Sequence, residues 1–305
     1  MKGISLRQLS AVLAVHKTGR IVNAARELSL TQPAVSLQIQ EAERVAGTPL
    51  FERTREGLRP TAAGSAVIEA ALEIDETLRR LGDEISAIRG GRRGRLRLGV
   101  VSTAKYFAPA IMAAFMQLHP ELEISLWVGN RDETIASLEA QRIDVALMGR
   151  PPREFPVRAT QIGEHPFVII APTGHPLVGH AGISKQQIAE ENFLVRERGS
   201  GTRTALDIFL SEIPGRIENI GVELGSNETI KQAVMAGLGV ALISAHTIAQ
   251  EIEFGRLAIL DVEGLPVIRN WFSVSRADRT PSPAMVAFEA FLREHGRSFL
   301  PDVIS

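Results

Sequence analysis

Strand-like and helix-like segments alternate through most of the chain, and this alternation constrains the fold more than any other feature. The apolar runs RLRLGVV (95–101), EISLWVG (123–129) and DVALMG (144–149) are separated by segments with helical periodicity. A second set of such runs extends from FVIIAP (167–172) to GVALIS (239–244). Strands separated by helices form βαβ units, so we predict an α/β fold with parallel sheets. Two sets predict two lobes, with a ligand cleft at the carboxyl ends of their strands.

The chain divides into parts with different patterns. We predict a helical head over residues 1–60 and a linker helix with a hinge over 61–93. The first lobe is predicted over 94–163 together with 268–305, and the second lobe over 164–267.

Charge is unevenly distributed between these parts. Residues 1–60 carry nine Lys and Arg against five Glu, a formal charge of +4, whereas the remainder carries −5. A basic head on an acidic body is expected when only the head meets a polyanion such as nucleic acid.

Several classes of protein are disfavoured by the sequence. There is no cysteine, which excludes disulfides, thiolate chemistry and Cys-based metal sites. No apolar run approaches the roughly 18 residues of a membrane span, and the first residues lack the apolar core of a signal peptide. P-loop, HExxH and G-x-S-x-G motifs are missing, and the seven histidines show no tight metal-ligand spacing. We therefore expect a cytoplasmic protein with no membrane partner, no metal and no catalytic residues.

The head has the pattern of three short helices followed by a hairpin. Thr31 is a suitable N-cap for the third helix and Pro33 fits its first turn. One face of that helix is apolar, and the other offers short hydrogen-bonding groups from Thr31, Gln32, Ser36, Gln38 and Gln40. Amide and hydroxyl groups can bind base edges in the major groove of DNA. The alternative is a plain three-helix bundle whose glutamines are only surface residues.

A two-stranded wing is predicted after the third helix. The segments TPLFER (48–53) and REGLRPT (55–61) would form its strands and leave Arg53, Arg55 and Arg59 exposed. Exposed arginines in such a hairpin are suited to phosphate or minor-groove contacts.

The linker carries an apolar stripe with heptad spacing, formed by Val67, Ala71, Ile74, Leu78, Leu81, Ile85 and Ile88. A stripe this narrow favours a seam between two helices, and hence dimerisation, over a helix that lies on its own domain. A dimer would also supply two recognition helices for a two-fold operator.

Three predicted helices begin with small polar residues, and each would present free N–H groups and a positive dipole end. These starts are Ser102-Thr103, Gly199-Ser200-Gly201-Thr202 and Ser226-Asn227-Glu228-Thr229. Four nearby cations could neutralise an anion, namely Lys105, Arg150, Arg196 and Arg203. The alternative is that the small polar residues serve only as helix caps.

Over its whole length the chain resembles the LysR-type transcriptional regulators. The stretches that carry this resemblance are AARELSLTQPAVSLQIQ (24–40), GTPLFERT (47–54), RPTAAG (59–64) and VMAGLGVALIS (234–244). Within the family it is most similar to the regulators of Calvin-cycle (RubisCO) operons. That similarity rests on VSTAKYFAP (101–109), VGNRDETI (128–135), DVALMGRPP (144–152), FLVRERGSGTR (193–203), GSNETIKQAVMAGLG (225–239) and LDVEGLPV (260–267).

The resemblance implies a winged helix-turn-helix head, a dimerising linker helix and a two-lobed effector domain like the periplasmic binding proteins. It places DNA contacts on Gln32, Pro33, Ser36, Gln38, Arg53 and Arg55, and effector contacts on Ser102, Thr103, Gly149, Arg150, Thr202 and Asn227. The expected partners are promoter DNA, further copies of the chain in a homodimer or homotetramer, RNA polymerase and a small anionic metabolite. A phosphorylated sugar, phosphoenolpyruvate or NADPH is the expected type of effector, bound non-covalently and without a cofactor.

Three other functions remain open at this point. One is a LysR-type regulator of another regulon with an aromatic or amino-acid effector, which an apolar cleft would favour. The others are an enzyme and a solute-binding protein, each with an attached DNA-binding head.

Overall fold

The computed structural model describes residues 3–54, 57–88, 94–213 and 220–303. Two compact units, Met1–Ile85 and Ser86–Ser305, make up the chain. The first unit thus includes most of the linker helix, which the sequence had suggested as a separate part. Within the described ranges, no helix is both long and apolar enough to cross a membrane.

The first unit is a helix-turn-helix with a wing. Its elements are α1 (Leu6–Thr18), α2 (Ile21–Glu27), α3 (Gln32–Ala46), the antiparallel strands β1 (Phe51–Thr54) and β2 (Gly57–Pro60), and α4 (Ala62–Ile88), which continues past the boundary. Helix α1 begins at a capping box formed by Ser5 and Gln8 and ends at Gly19 in the left-handed conformation. Helix α3 begins at Thr31, whose hydroxyl accepts a hydrogen bond from the Ala34 N–H at 3.4 Å.

The core of the first unit is built from all four helices and β1. It includes Val67, Ile68 and Ala71 of α4, which are buried together with Leu9, Val12, Ala24, Val35, Ile39, Leu50 and Phe51. The start of α4 is therefore an integral part of the head.

The second unit contains the remaining elements. They are β3 (Arg95–Val101), α5 (Ala108–Leu118), β4 (Glu123–Gly129), α6 (Arg131–Glu139), β5 (Val145–Met148), β6 (Val157–Pro172), α7 (Lys185–Ala189), β7 (Phe193–Arg196), α8 (Gly201–Ser211), β8 (Ile220–Leu224), α9 (Asn227–Met235), β9 (Ala241–Ser244), α10 (Ala249–Glu253), β10 (Leu257–Leu260), β11 (Val267–Arg276) and α11 (Pro283–His295).

The main sheet is mixed, because antiparallel pairs accompany the predicted parallel ones. Strand β3 pairs in parallel with β4 and β5, whereas β6 pairs antiparallel with β9, β10 and β11, and β11 also pairs antiparallel with β5. A separate parallel pair joins β7 and β8. The sequence had indicated only residues 167–172 as a strand, but β6 starts ten residues earlier because β11 pairs with it from Val157 to Phe167.

Strands β6 and β11 run through both lobes, because each contributes to separate cores. Ile162 of β6 and Trp271 of β11 belong to a core with Leu98, Phe115 and Phe288, which defines the first lobe. Farther along β6, Phe167 and Ile169 face one core of the second lobe, and Val168 and Ile170 face another on the opposite side of the strand. The two strands therefore form the connection between the lobes.

Candidate functional site

A cavity of about 370 Å³ lies beside the segment of β6 and β11 that joins the two lobes. Its walls come from the end of β3, the start of α6, the loop after β5, the two joining strands and the start of α8. The lining residues are Val101, Ser102, Thr103, Asn130, Arg131, Asp132, Gly149, Arg150, Pro151, Arg153, Glu154, His165, Phe167, Gly199, Ser200, Gly201, Thr202, Thr204 and Arg269.

Two of the three predicted helix starts line this cavity. At the start of α8, the hydroxyl of Ser200 accepts a hydrogen bond from the Thr202 N–H at 3.2 Å. The other start follows β3, where Ser102 and Thr103 precede a 3₁₀ turn and the Thr103 hydroxyl makes no capping bond. Because Thr103 does not cap, its hydroxyl is available to a ligand.

Four arginines, Arg131, Arg150, Arg153 and Arg269, and two acidic residues, Asp132 and Glu154, line the cavity. Arg150 is exposed and Arg269 is half-buried, and within the described residues neither side chain has a hydrogen bond or an ion pair. Burial lowers the pKa of Arg269, and the positive charge of Arg150 lowers it further. Two unpaired guanidinium groups that repel each other would both be stabilised by a doubly charged anion.

Arg269 faces His165 across the joining strands, because the two residues are directly paired between β6 and β11. Neither residue was predicted as part of the site. Nor were Arg131 and Asp132, although the capping box at Asn130 and Glu133 places a helix start beside them and is visible in the sequence. No comparable sequence signal exists for His165 and Arg269, since they are 104 residues apart and meet only through the strand register.

Six predicted effector residues do not line the cavity: Lys105, Arg196, Arg203, Asn227, Glu228 and Thr229. The third helix start, at α9, is therefore absent from the wall. Its N-cap is Ser226, whose hydroxyl accepts a hydrogen bond from the Thr229 N–H at 3.1 Å.

Arg196 lies behind the cavity wall and is almost fully buried. Its guanidinium donates to both oxygens of Glu197 at 2.7 Å, to the Asn227 side-chain oxygen and to the Ser102 hydroxyl at 3.3 Å. Ser102 directly follows the first-lobe strand β3, and Arg196 belongs to the second lobe. This arginine therefore connects the lobes. Arg203 instead pairs with Asp207 at 2.9 Å on its own helix.

Lys105 and Glu228 form a second connection between the lobes. The Lys105 ammonium lies 2.6 Å from the Glu228 carboxylate, which also accepts a hydrogen bond from the Tyr106 hydroxyl. Partial burial acts to raise the pKa of Glu228, but the hydrogen bonds from Lys105 and Tyr106 outweigh it and hold that pKa below its ordinary value. Glu228 is therefore ionised at neutral pH and holds the first-lobe residues Lys105 and Tyr106 against α9.

The outward face of α3 carries the predicted recognition residues. Thr31, Gln32, Pro33 and Gln40 are exposed, and Ser36 and Gln38 are half-buried. Arg53 is exposed on β1, whereas Arg55 lies outside the described residues. Glu43 on the same helix accepts hydrogen bonds from the Leu50 and Phe51 N–H groups at 2.8 and 3.4 Å, which fixes the start of the wing.

The heptad stripe of α4 is divided between two environments. Val67 and Ala71 are buried in the core of the head, so they cannot contribute to a seam with another chain. Ile74, Leu78, Leu81 and Ile85 are exposed, with exposed fractions between 39% and 51%. The side chain of Ile88 lies outside the described residues.

In the parts of the chain that the structure describes, no group of three or more His, Asp or Glu residues could hold a metal ion.

Two family models match the chain. The bacterial regulatory helix-turn-helix protein, lysR family, matches residues 6–65, and the LysR substrate binding domain matches residues 89–297. The chain belongs to the LysR family of transcriptional regulators. The predicted fold class, an α/β chain with a winged helix-turn-helix head, a linker helix and a two-lobed effector domain, is thereby confirmed.

Relatives extend over the full length of the chain. The HTH-type transcriptional regulator CbbR of Sinorhizobium medicae (strain WSM419) is 58% identical over 303 residues, which cover 99% of this chain and 97% of the relative. The RuBisCO operon transcriptional regulator of Allochromatium vinosum is 43% identical over 289 residues, which cover 95% of each chain. The predicted similarity to regulators of RubisCO operons is confirmed, and the chain is a regulator rather than an enzyme.

A solved structure resembles the second unit. The regulatory domain of CcmR from Synechocystis PCC6803, in complex with 2-PG (2-phosphoglycolate), has a TM-score of 0.63 and is 35% identical. The match covers 66% of this chain and 96% of that domain.

Proposed function

We propose that the chain is a DNA-binding regulator of a RubisCO operon, and that it senses a small phosphorylated acid bound in the cavity between the lobes. The observation that carries the effector class is that Arg150 and Arg269 line the cavity and that neither side chain has a hydrogen bond or an ion pair among the described residues. Hydroxyl groups and the start of α8 complete a wall suited to phosphate or carboxylate. An aromatic effector would need an apolar wall instead, and the ammonium of an amino acid would meet two like charges.

The proposed effector binds non-covalently to Ser102, Thr103, Gly149, Arg150 and Thr202, and no cofactor is needed. The complex of the CcmR domain with 2-phosphoglycolate supports a ligand of this class, because that acid carries both a phosphate and a carboxylate.

The signal would pass from the cavity to DNA through a change in the arrangement of the lobes. A ligand that contacts both lobes stabilises the arrangement that it fits best, and such coupling typically amounts to about 1–3 kcal/mol. We propose that this change alters the arrangement of copies in a homodimer or homotetramer, the bend of the promoter and thereby contact with RNA polymerase.

Calorimetric titration with 2-phosphoglycolate tests the effector site. Arg150→Gln and Arg269→Gln are each expected to weaken binding by about 10- to 100-fold, because each removes a charge-assisted hydrogen bond. Arg256→Gln, an exposed arginine elsewhere in the second lobe, is the matched control and leaves binding unchanged. Equal affinity in all four proteins would place the ligand elsewhere.

The DNA-binding face is tested with the promoter upstream of the regulated operon. Gln32→Ala is expected to weaken binding to the operator and to relax base preference at one position. Arg53→Ala should weaken binding to every duplex and reduce the slope of affinity against salt concentration by about one. If both variants bind as the wild type does across a range of ionic strength, α3 and the wing are not the interface.

Self-association is tested through the exposed part of the α4 stripe. Leu78→Glu and Leu81→Glu would each place a charge in the proposed seam and shift the protein towards a smaller species in light-scattering measurements. Phe254→Ser, which removes a 73% exposed ring elsewhere, is the control. An unchanged mass in both α4 variants would contradict the seam.

A further inference from the structure

The cavity wall contains one aromatic polar group, the imidazole of His165. His165 lies on β6 directly opposite Arg269, at the point where the strands pass between the lobes. Its ring is stacked on Trp271 with centroids 3.9 Å apart and lies 4.4 Å from the ring of Phe167. These aromatic contacts fix the orientation of the imidazole.

Neither nitrogen of this imidazole has a hydrogen-bond partner among the described residues, although His165 is only 4% exposed. Burial lowers its pKa well below the ordinary value, and the nearby His246 and Arg269 lower it further, so the ring is neutral. A neutral imidazole carries one donor and one acceptor, and leaving both unused inside a protein is unfavourable.

Gly149 lies next to the imidazole of His165. A methyl group on Gly149, which also lines the cavity, would lie only 3.0 Å from Nδ1 of His165. The backbone of Gly149 is not in the left-handed region, so its conformation does not require glycine. A side chain at residue 149 would instead crowd Nδ1 of the imidazole.

We propose that His165 is a specificity-determining residue that binds a hydroxyl group of the effector. The inference rests on the proposed function, because it assigns the uncharged part of the phosphorylated acid to His165 and the charged parts to the arginines. A hydroxyl is both a donor and an acceptor, so it can bind one nitrogen of the neutral imidazole in either tautomer. A site built in this way disfavours an analogue that lacks the hydroxyl, since the buried polar group then stays unpaired.

Two ligands that differ by one hydroxyl test this assignment. They are 3-phosphoglycerate and its 2-deoxy analogue, 3-(phosphonooxy)propanoate, compared by calorimetry with 2-phosphoglycolate as a reference ligand. The wild type is expected to prefer 3-phosphoglycerate over the deoxy analogue by at least about tenfold. His165→Phe keeps the stacked ring but has no nitrogen, and it should bind the two ligands with equal affinity. His180→Gln, an exposed histidine outside the cavity, is the control.

A second readout separates ligand binding from packing. Because His165→Phe removes two unsatisfied polar atoms, the ligand-free variant should melt about 2–4 °C above the wild type while losing the preference. Gly149→Ala retains the imidazole but crowds Nδ1, so it should also reduce the preference. This variant keeps the test decisive if His165→Phe does not fold.

The outcomes distinguish the two proposals. If the wild type binds none of the three phosphorylated acids, the proposed function is overturned. If it binds 2-phosphoglycolate or both longer acids but shows no preference for the hydroxyl, only the role of His165 is overturned. A preference that persists in His165→Phe or in Gly149→Ala also overturns that role.

Discussion

Two histidines at the junction of the lobes are held in the neutral form by their surroundings. His246 accepts a hydrogen bond at Nδ1 from the Trp271 indole N–H at 3.0 Å, and the two rings are within 17° of parallel with their centroids 6.4 Å apart. Burial lowers the pKa of His246 to about 4, although the charge of Asp302 acts in the opposite direction. Protonation of Nδ1 would break the bond from Trp271, so the packing at the junction depends on neutral imidazoles.

This arrangement predicts how the stability of the second unit depends on pH. An unfolded histidine titrates near pH 6.5, so between about pH 6.5 and 4 the unfolded chain takes up protons that the folded chain excludes. The free energy of unfolding should therefore fall as the pH is lowered through this range, and His165→Phe should show a smaller fall. Urea unfolding at several pH values, followed by the fluorescence of Trp127 and Trp271, measures the difference. Identical pH dependence in the two proteins would contradict it.

At the scale of elements, α4 has a different environment at each end. Its first turns belong to the core of the head, where an added methyl group on Gly64 would lie 1.9 Å from the carbonyl oxygen of Leu50. Farther along the helix, a methyl group on Gly82 would meet no atom of the described residues within 4 Å, apart from the helix's own backbone and adjacent residues. Glycine is thus required by packing at one position and only weakens the helix at the other.

Alanine substitutions at these two glycines should have opposite effects. Gly64→Ala is expected to destabilise the head by about 3 kcal/mol, because the clash involves backbone and cannot be relieved by a side chain. Gly82→Ala should stabilise α4 by about 0.5–1 kcal/mol, because alanine favours the helix. Hydrogen–deuterium exchange of the full chain measures both effects locally, in α1 to α3 for the first variant and in α4 for the second. Faster exchange in Gly82→Ala, or unchanged exchange in Gly64→Ala, would contradict these assignments.

At the scale of the whole second unit, the lobes are joined by more than the strands β6 and β11. Three contacts connect one lobe to the other: Arg196 with Ser102, Lys105 with Glu228, and the Asp132 N–H with the Gly199 carbonyl at 3.3 Å. We expect these contacts to set the separation of the cavity walls. Lys105, Arg196 and Glu228 do not themselves line the cavity. A change in any of them should alter effector affinity indirectly.

Glu228→Gln tests this coupling. The variant loses the charge that pairs with Lys105, so a smaller fraction of molecules should have the lobes at the spacing that the ligand needs. We expect affinity for 2-phosphoglycolate to fall by about three- to tenfold although Glu228 is outside the cavity. Glu212→Gln is the control, since Glu212 pairs with Lys185 within the second lobe at 2.5 Å. Equal affinity in wild type and Glu228→Gln would show that the contact does not set the spacing.

The sequence determined those features that depend on residues near one another in the chain. Local periodicity and capping chemistry, which act within a few residues, give the cap at Thr31 and the strands at Arg95–Val101 and Glu123–Gly129. The proposed preference of the cleft for an anion also rests on features visible in the sequence, namely the hydroxyl-rich helix starts and Arg150.

Only the tertiary structure decided which of those residues share a site. Strand register brings His165 and Arg269 together, and the same folding places Arg196, Asn227 and Glu228 behind the wall, where they join the lobes. The start of α4 is buried in the head for a similar reason, since its apolar stripe is equally compatible with a seam and with a core. A periodic pattern fixes which face of an element is apolar, but the partner of that face depends on long-range packing that no local pattern encodes.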